Sequence, residues 1–167
     1  DGRWSPVKGV IWRPNLAWSR NRIQQFDEVI FDYDEAQEFR QIIEYEDVPI
    51  AFSPEVVATS ILAWEAWSGD ETSLIAEWAL RHVSQQFLDN TGNSDRALPA
   101  YTVNDLRFRY SWTRERDVLS LNVFVNNVLG AEYSANGWAY SYQFGGPDSR
   151  VSEVYAYPPA GRFLPVG

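Results

Sequence analysis

The densest set of groups able to do chemistry lies between residues 27 and 47. Asp27, Glu28, Asp32, Asp34, Glu35, Glu38, Glu44, Glu46 and Asp47 are accompanied there by one cation, Arg40. Carboxylate oxygens suit a hard cation, which makes Asp32, Asp34 and Glu35 the candidate metal ligands. The run Asp-Tyr-Asp-Glu lacks the glycine and the ligand spacing of a calcium loop. A solvated acidic loop, exposed to the divalent ions around surface lipid, is the simpler reading. No resident metal is expected.

A second cluster is aromatic. Tyr133, Trp138, Tyr140, Tyr142 and Phe144 are interleaved with Gly137, Gly145 and Gly146. Tyr and Trp beside glycine make adaptable contact surfaces for sugars or planar solutes. Tyr133, Trp138, Tyr140 and Tyr142 are therefore the candidate ligand-binding residues. The plainer alternative is a hairpin whose rings pack on neighbouring loops.

Catalytic constellations are missing. His82 is the one histidine, and it has neither a nucleophile nor an orienting partner in a triad pattern. No nucleophile elbow, zinc-protease helix, phosphate loop or dinucleotide fingerprint is present. Cysteine is absent, which excludes disulfides, thiolate metal sites and a thiol nucleophile. The sequence predicts no enzyme and no cofactor. With 14 basic and 23 acidic residues the formal charge is −9. Nucleic acid, which asks for clustered positive charge, is an unsuitable partner.

The elements that carry these groups read as strands. Leu106, Phe108, Tyr110 and Trp112 alternate with Asp105, Arg107, Arg109 and Ser111, a period of two. Leu119, Leu121, Val123 and Val125 continue the pattern after the charged turn 113–117. Segments 12–19, 56–67 and 73–87 alternate similarly, the second less cleanly; a helix is the rival reading for 55–67 and 73–87, and the turn signal Ser68-Gly69-Asp70-Glu71 favours strands. A further strand is expected to start at Tyr157. Over 56–67, Trp64 and Trp67 fall on opposite faces. Pro14 suits a bulge or a strand end better than a central position. Arg81, Asp105, Arg107 and Arg109 sit on polar faces, where mutual pairing in a wet interior is expected.

Connections alternate in length. Short ones fall near 68–72 and 113–117, long ones over about 20–52, 88–99 and 131–156. No stretch nears the ~18 apolar residues of a membrane helix. Apolar residues are nonetheless 45% and aromatics 16% of the 167, at a mean hydropathy of −0.37. Interspersed bulky side chains, short turns and long loops are the pattern of an outer-membrane barrel. Trp64, Trp67, Trp78 and Trp112 are placed near the short turns, as an interfacial girdle. Six strands fall short of the eight of the smallest single-chain barrels. The chain is thus expected to be a segment of a larger barrel, or to hide two strands inside 24–48. It opens on Asp1 with no basic or apolar leader, as a processed chain or an internal piece would.

Three segments resemble one family. Pro99-Ala100-Tyr101-Thr102-Val103-Asn104-Asp105-Leu106-Arg107 resembles a strand opening of TonB-dependent outer-membrane receptors. Asn126-Asn127-Val128-Leu129-Gly130-Ala131-Glu132-Tyr133 resembles their strand exit, and Tyr157-Pro158-Pro159-Ala160-Gly161-Arg162-Phe163 the entry to their final strand. Ser19-Arg20-Asn21-Arg22-Ile23, Ala51-Phe52-Ser53-Pro54 and Gln86-Phe87-Leu88-Asp89-Asn90-Thr91 are similar to further segments. The resemblance implies an all-β fold: about the last six antiparallel strands of a 22-stranded transmembrane β-barrel, with short periplasmic turns and long extracellular loops. It implies residence in the bacterial outer membrane and uptake of a scarce large solute (siderophore, cobalamin, glycan or peptide) energised through TonB. Implied partners are outer-membrane lipid, the receptor's own N-terminal plug, the TonB complex, the imported ligand and, as an option, a surface lipoprotein. Plug and TonB box are not in this chain, so residues 1–167 are read as the C-terminal part of the barrel. The rival reading is a soluble secreted β-sandwich that binds carbohydrate through exposed aromatics.

Overall fold

The computed structural model describes residues 2–34 and 40–157. It is all-β, with two main sheets and one short ladder. The larger sheet has the order β1-β4-β5-β8-β9, antiparallel throughout: β1 Val10–Trp18, β4 Val56–Ser68, β5 Thr72–Val83, β8 Tyr101–Arg114 and β9 Asp117–Val125. Five of the expected strands are these. The expected strand from Tyr157 lies almost wholly outside the described residues, and Tyr157 itself ends another strand. No sheet closes into a barrel among the described residues.

Side-chain alternation gives this sheet two unlike faces. On one, the register brings Trp12, Leu62, Trp78 and Leu106 into a row, with Trp64, Ala76, Phe108 and Val123 in the next. The large indoles among them are not covered: Trp64 is 55% and Trp78 45% exposed. On the other face Glu77 takes Arg13 at 2.6 Å and Arg107 at 3.3 Å, and Arg109 Nε donates to Asn122 Oδ1 at 3.1 Å. The expected mutual pairing of strand-face charges is present for Arg107. Residues 5–10 fold over this polar face and close one side of a trough of about 930 Å³.

Local geometry corrects four expectations. The register shifts between Glu65 and Trp67, a β-bulge at Ala66. One extra residue inverts the facing of the remaining strand, so Trp67 pairs with Leu74 and joins Trp64 on the apolar face. Trp78 is not near a turn but at mid-strand, opposite Leu62 and Leu106. Pro14 is central in β1, opposite Ser60. Its carbonyl accepts from Gly2 N on the edge away from β4, and Trp4 pairs with Trp12 there. The N–H that proline lacks would point to that same edge, so the β1–β4 ladder loses nothing. Finally, β5 stops at Val83. Ser84 turns the chain by exchanging bonds with Val56, and β6 Gln86–Phe87 pairs instead with β7 Ala97–Leu98.

The long connections are themselves structured. Residues 24–48 do hold two strands, but in the second sheet: β2 Arg22–Asp32 pairs with β3 Arg40–Pro49. The order of that sheet is β11-β10-β2-β3, with β10 Asn136–Gln143 and β11 Val151–Tyr157 forming a hairpin. A short parallel pairing, Tyr142 with Phe31 and Gln143 with Asp32, joins the two hairpins. One face of this outer sheet packs on the 84–98 connection and buries Ile30, Val48, Leu88 and Leu98. Trp64, Trp67, Trp78, Tyr110 and Leu121 all stay exposed, so the apolar face of the larger sheet has no covering layer among the described residues.

Candidate functional site

Alternation along β10 puts Trp138, Tyr140 and Tyr142 on the outward face and Gly137, Ala139, Ser141 and Gln143 on the packed one. The register sets Tyr155 beside Trp138 and Glu153 beside Tyr140. Trp138 stacks on Tyr140 with centroids 5.0 Å apart and on Tyr155 at 4.7 Å, each with rings 13° from parallel. Tyr140 stacks on Tyr142 at 5.4 Å. Tyr142 then meets the edges of Phe144 and Tyr33. A ladder of rings therefore runs along the outer sheet.

One carboxylate ties the phenols. Glu153 accepts from Tyr155 at 2.8 Å and from Tyr140 and Tyr142 at 3.0 Å each. The bonds from Tyr155, then Tyr142 and Tyr140, hold the Glu153 carboxyl below its usual range. In return the Glu153 bond pushes the Tyr140 phenol up to about 12, and the Tyr142 and Tyr155 phenols rise for the same reason. The ring faces are occupied by one another, so the ladder offers edges and hydroxyl rims rather than open platforms.

Of the four candidate ligand residues, Trp138, Tyr140 and Tyr142 come together. Tyr133 does not join them: it stacks on Tyr101 at 4.3 Å, beside the strand exit. Tyr155, Tyr33 and Glu153 complete the cluster and were not singled out from the sequence. Val151, Glu153 and Tyr155 alternate with Ser152 and Val154 as a strand face does, which signals a strand but not a site.

Asp32 is held by backbone groups from its own turn and from a distant one. Its carboxylate accepts the backbone N–H groups of Gly145 and Gly146, each at 2.8 Å, and of Asp34 at 3.1 Å. The Gly145 bond foremost holds its pKa below the usual value, against a smaller opposing effect of burial. Gly146 sits at φ +116°, a conformation that side chains disfavour and glycine adopts. Asp34 lies in the same turn, and Glu35 lies outside the described residues. Among the described residues no cluster of three metal-ligating side chains occurs.

Beneath the ladder lies an ionic hub. Arg96, 2% exposed, donates to Glu28 Oε1 at 2.7 Å, Asp89 Oδ2 at 2.8 Å, Ser152 Oγ at 2.8 Å and Ser141. Glu28 also takes Arg150 and the Tyr45 hydroxyl, each at 2.9 Å. Burial pulls the Arg96 guanidinium down, but its bonds to Glu28 and Asp89 outweigh that and raise it. Hairpin β2–β3, the 84–98 connection and hairpin β10–β11 are thereby clamped together.

The quoted segments of the strand opening and strand exit touch directly. Asn127, at φ +50°, donates its N–H to Asp105 Oδ1 at 2.8 Å and closes its own loop by two bonds with Ala131. Val128 N donates to the Asn104 carbonyl. Asp105 thus caps a turn, in place of the expected mutual pairing with strand-face charges. His82 Nδ1 lies 2.9 Å from Thr102 Oγ1 on the neighbouring strand. No family model, curated protein or solved structure matches the chain.

Proposed function

We propose that this chain is barrel wall and extracellular loops of an outer-membrane transport receptor, the TonB-dependent kind that its motifs resemble. The observation that carries the reading is the two-faced larger sheet. One face is a continuous band of Trp, Leu and Phe with no covering layer among the described residues, and the other is polar and ion-paired. In water such a band is a liability of several hundred Å². In a bilayer it is the outward face, and the polar side faces a wet or plugged lumen. Eight residue steps separate Thr72, by the short turn, from Leu80 in the row of Ser60 and Asn104. At about 3.4 Å per residue and about 40° of tilt, that band is about 20 Å tall, near the height of an outer-membrane apolar belt.

Indole N–H groups in that band support the same placement. Lipid offers no acceptor, so a lipid-facing donor needs one within the protein. Trp12 donates to Ser60, Trp78 to Asn104 and Trp67 to Thr72, at 2.9, 3.0 and 3.0 Å. The outer sheet, clamped by Arg96, is then the extracellular cap, and the ladder of Trp138, Tyr140, Tyr142 and Tyr155 its ligand-contact surface. A sandwich would place a second sheet over the Leu106–Phe108–Tyr110–Trp112 face, and the second sheet here packs elsewhere.

The test is fluorescence of the chain folded into bilayers whose acyl chains carry bromine. Bromine quenches indoles that touch it, so Trp12, Trp64 and Trp78 should lose most of their emission. A monomer soluble in buffer, with unquenched emission after mixing with those bilayers, overturns the reading.

A further inference from the structure

We infer that the free edge of β3 is a docking site for an extended basic peptide, which adds to the outer sheet as a further strand. β3 pairs with β2 on one side, and no strand pairs with its other edge among the described residues. Ten residues long, Arg40–Pro49 presents a row of backbone donors and acceptors to whatever lies beside it. An added strand would set its alternate side chains next to Ile42, Glu44 and Glu46 on the outward face.

Charge selects the occupant. Asp27 stands directly opposite Glu44, and Glu46 lies two residues further along the same face. Like charges directly opposed destabilise a strand pair. None of the three carboxylates has an ion-pair partner among the described residues. Edge protection explains acidic groups on β3, but Asp27 sits on the inner neighbour, where it guards no edge. A lysine or arginine at every second position of an incoming strand would neutralise Glu44 and Glu46 and relieve Asp27. The next position on that face of the incoming strand, two residues beyond the one opposite Glu44, would lie beside Ile42, which is 61% exposed and pairs with Val29. At the end of the ladder the Arg40 guanidinium stands 5.2 Å from the centre of the Phe31 ring, a cation accepted on this face. The inference stands on the outer sheet alone and is independent of the membrane placement.

The test uses the full chain and a labelled peptide of alternating lysine and valine, read by fluorescence anisotropy. The same peptide N-methylated on the amides of one edge cannot pair as a strand. We expect the parent peptide to bind and the N-methylated one to bind at least about tenfold more weakly. Glu44→Gln with Glu46→Gln should weaken the parent by about tenfold, on the scale of two cross-strand pairs, while Asp117→Asn, an exposed change at the start of β9, leaves it unchanged. Equal binding of the N-methylated peptide, or an equal loss in Asp117→Asn, means non-specific attraction to an acidic protein and overturns the proposal. Absence of binding at millimolar peptide also overturns it and leaves edge protection as the role of Glu44 and Glu46.

Discussion

The indole Nε1 of Trp78 lies 3.0 Å from Oδ1 of Asn104, one strand away on the uncovered face of the larger sheet. Asn104 is itself buried, and its carbonyl holds the N–H of Val128. One side chain therefore serves the mid-band indole while its backbone anchors the loop after β9. Asn104→Leu should leave the Trp78 donor without a partner, at a cost of about 1–3 kcal/mol. Denaturation midpoints in lipid check this. Adding Trp78→Phe should restore part of the loss, because the orphaned donor is then gone.

Leu121 lies on the same face, between Leu119 and Val123. Leu121→Arg puts a charge toward lipid, which costs about 2–4 kcal/mol near the midplane. The variant should fail to accumulate in the outer-membrane fraction. Normal membrane levels would show that the faces of β8 and β9 are assigned the wrong way round.

Arg96 holds Glu28 and Asp89 in a nearly dry site. Arg96→Met should destabilise the outer sheet by about 3–5 kcal/mol, because two carboxylates lose their cation. Hydrogen exchange should accelerate in β2, β10 and β11 and stay slow in β4 and β5. Equal acceleration in both sheets would mean that they unfold as one unit.

The ladder has a pH dependence of determinate sign. Glu153 titrates below the 4.5 of a free carboxyl, so its contribution is present above that value and lost as pH falls through the lower folded one. Tyr140 titrates at about 12 against an ordinary 10.0, so its contribution is present below 10.0 and lost as pH rises toward 12. Tyrosinate absorbance should show a group of phenols ionising above the ordinary 10.0, and that group should move back toward it in Glu153→Gln. An unchanged midpoint would separate Glu153 from the Tyr140 phenol.

The larger sheet is legible in the sequence because lipid or core burial imposes a period of two, and Leu106 to Trp112 keeps it without interruption. Trp67 escapes that reading because a bulge adds one residue without any mark in composition, and Ala66 looks like any strand residue. Pro14 misleads because its cost depends on which edge its missing N–H faces, a fact of pairing and not of sequence. Tyr155 and Glu153 do not stand out as site residues because each is ordinary alone. Only the β10–β11 register brings one carboxylate within reach of three phenols. Asp32 reads as a metal candidate because an acidic run shows charge, while the glycine N–H groups that occupy its oxygens come from more than 110 residues away.

The membrane placement requires that the Leu106–Phe108–Tyr110–Trp112 face meets lipid and the Asp105–Arg107–Arg109–Ser111 face does not. The chain has no cysteine, so single cysteines along residues 105–112 can carry a nitroxide with no background to remove. Collision with apolar oxygen and with a polar nickel chelate, measured in bilayers by paramagnetic resonance, reports lipid and water at each position. Oxygen maxima are expected at 106, 108, 110 and 112, with chelate maxima or protection between them. Equal chelate access on both faces, or no alternation at all, would contradict the placement.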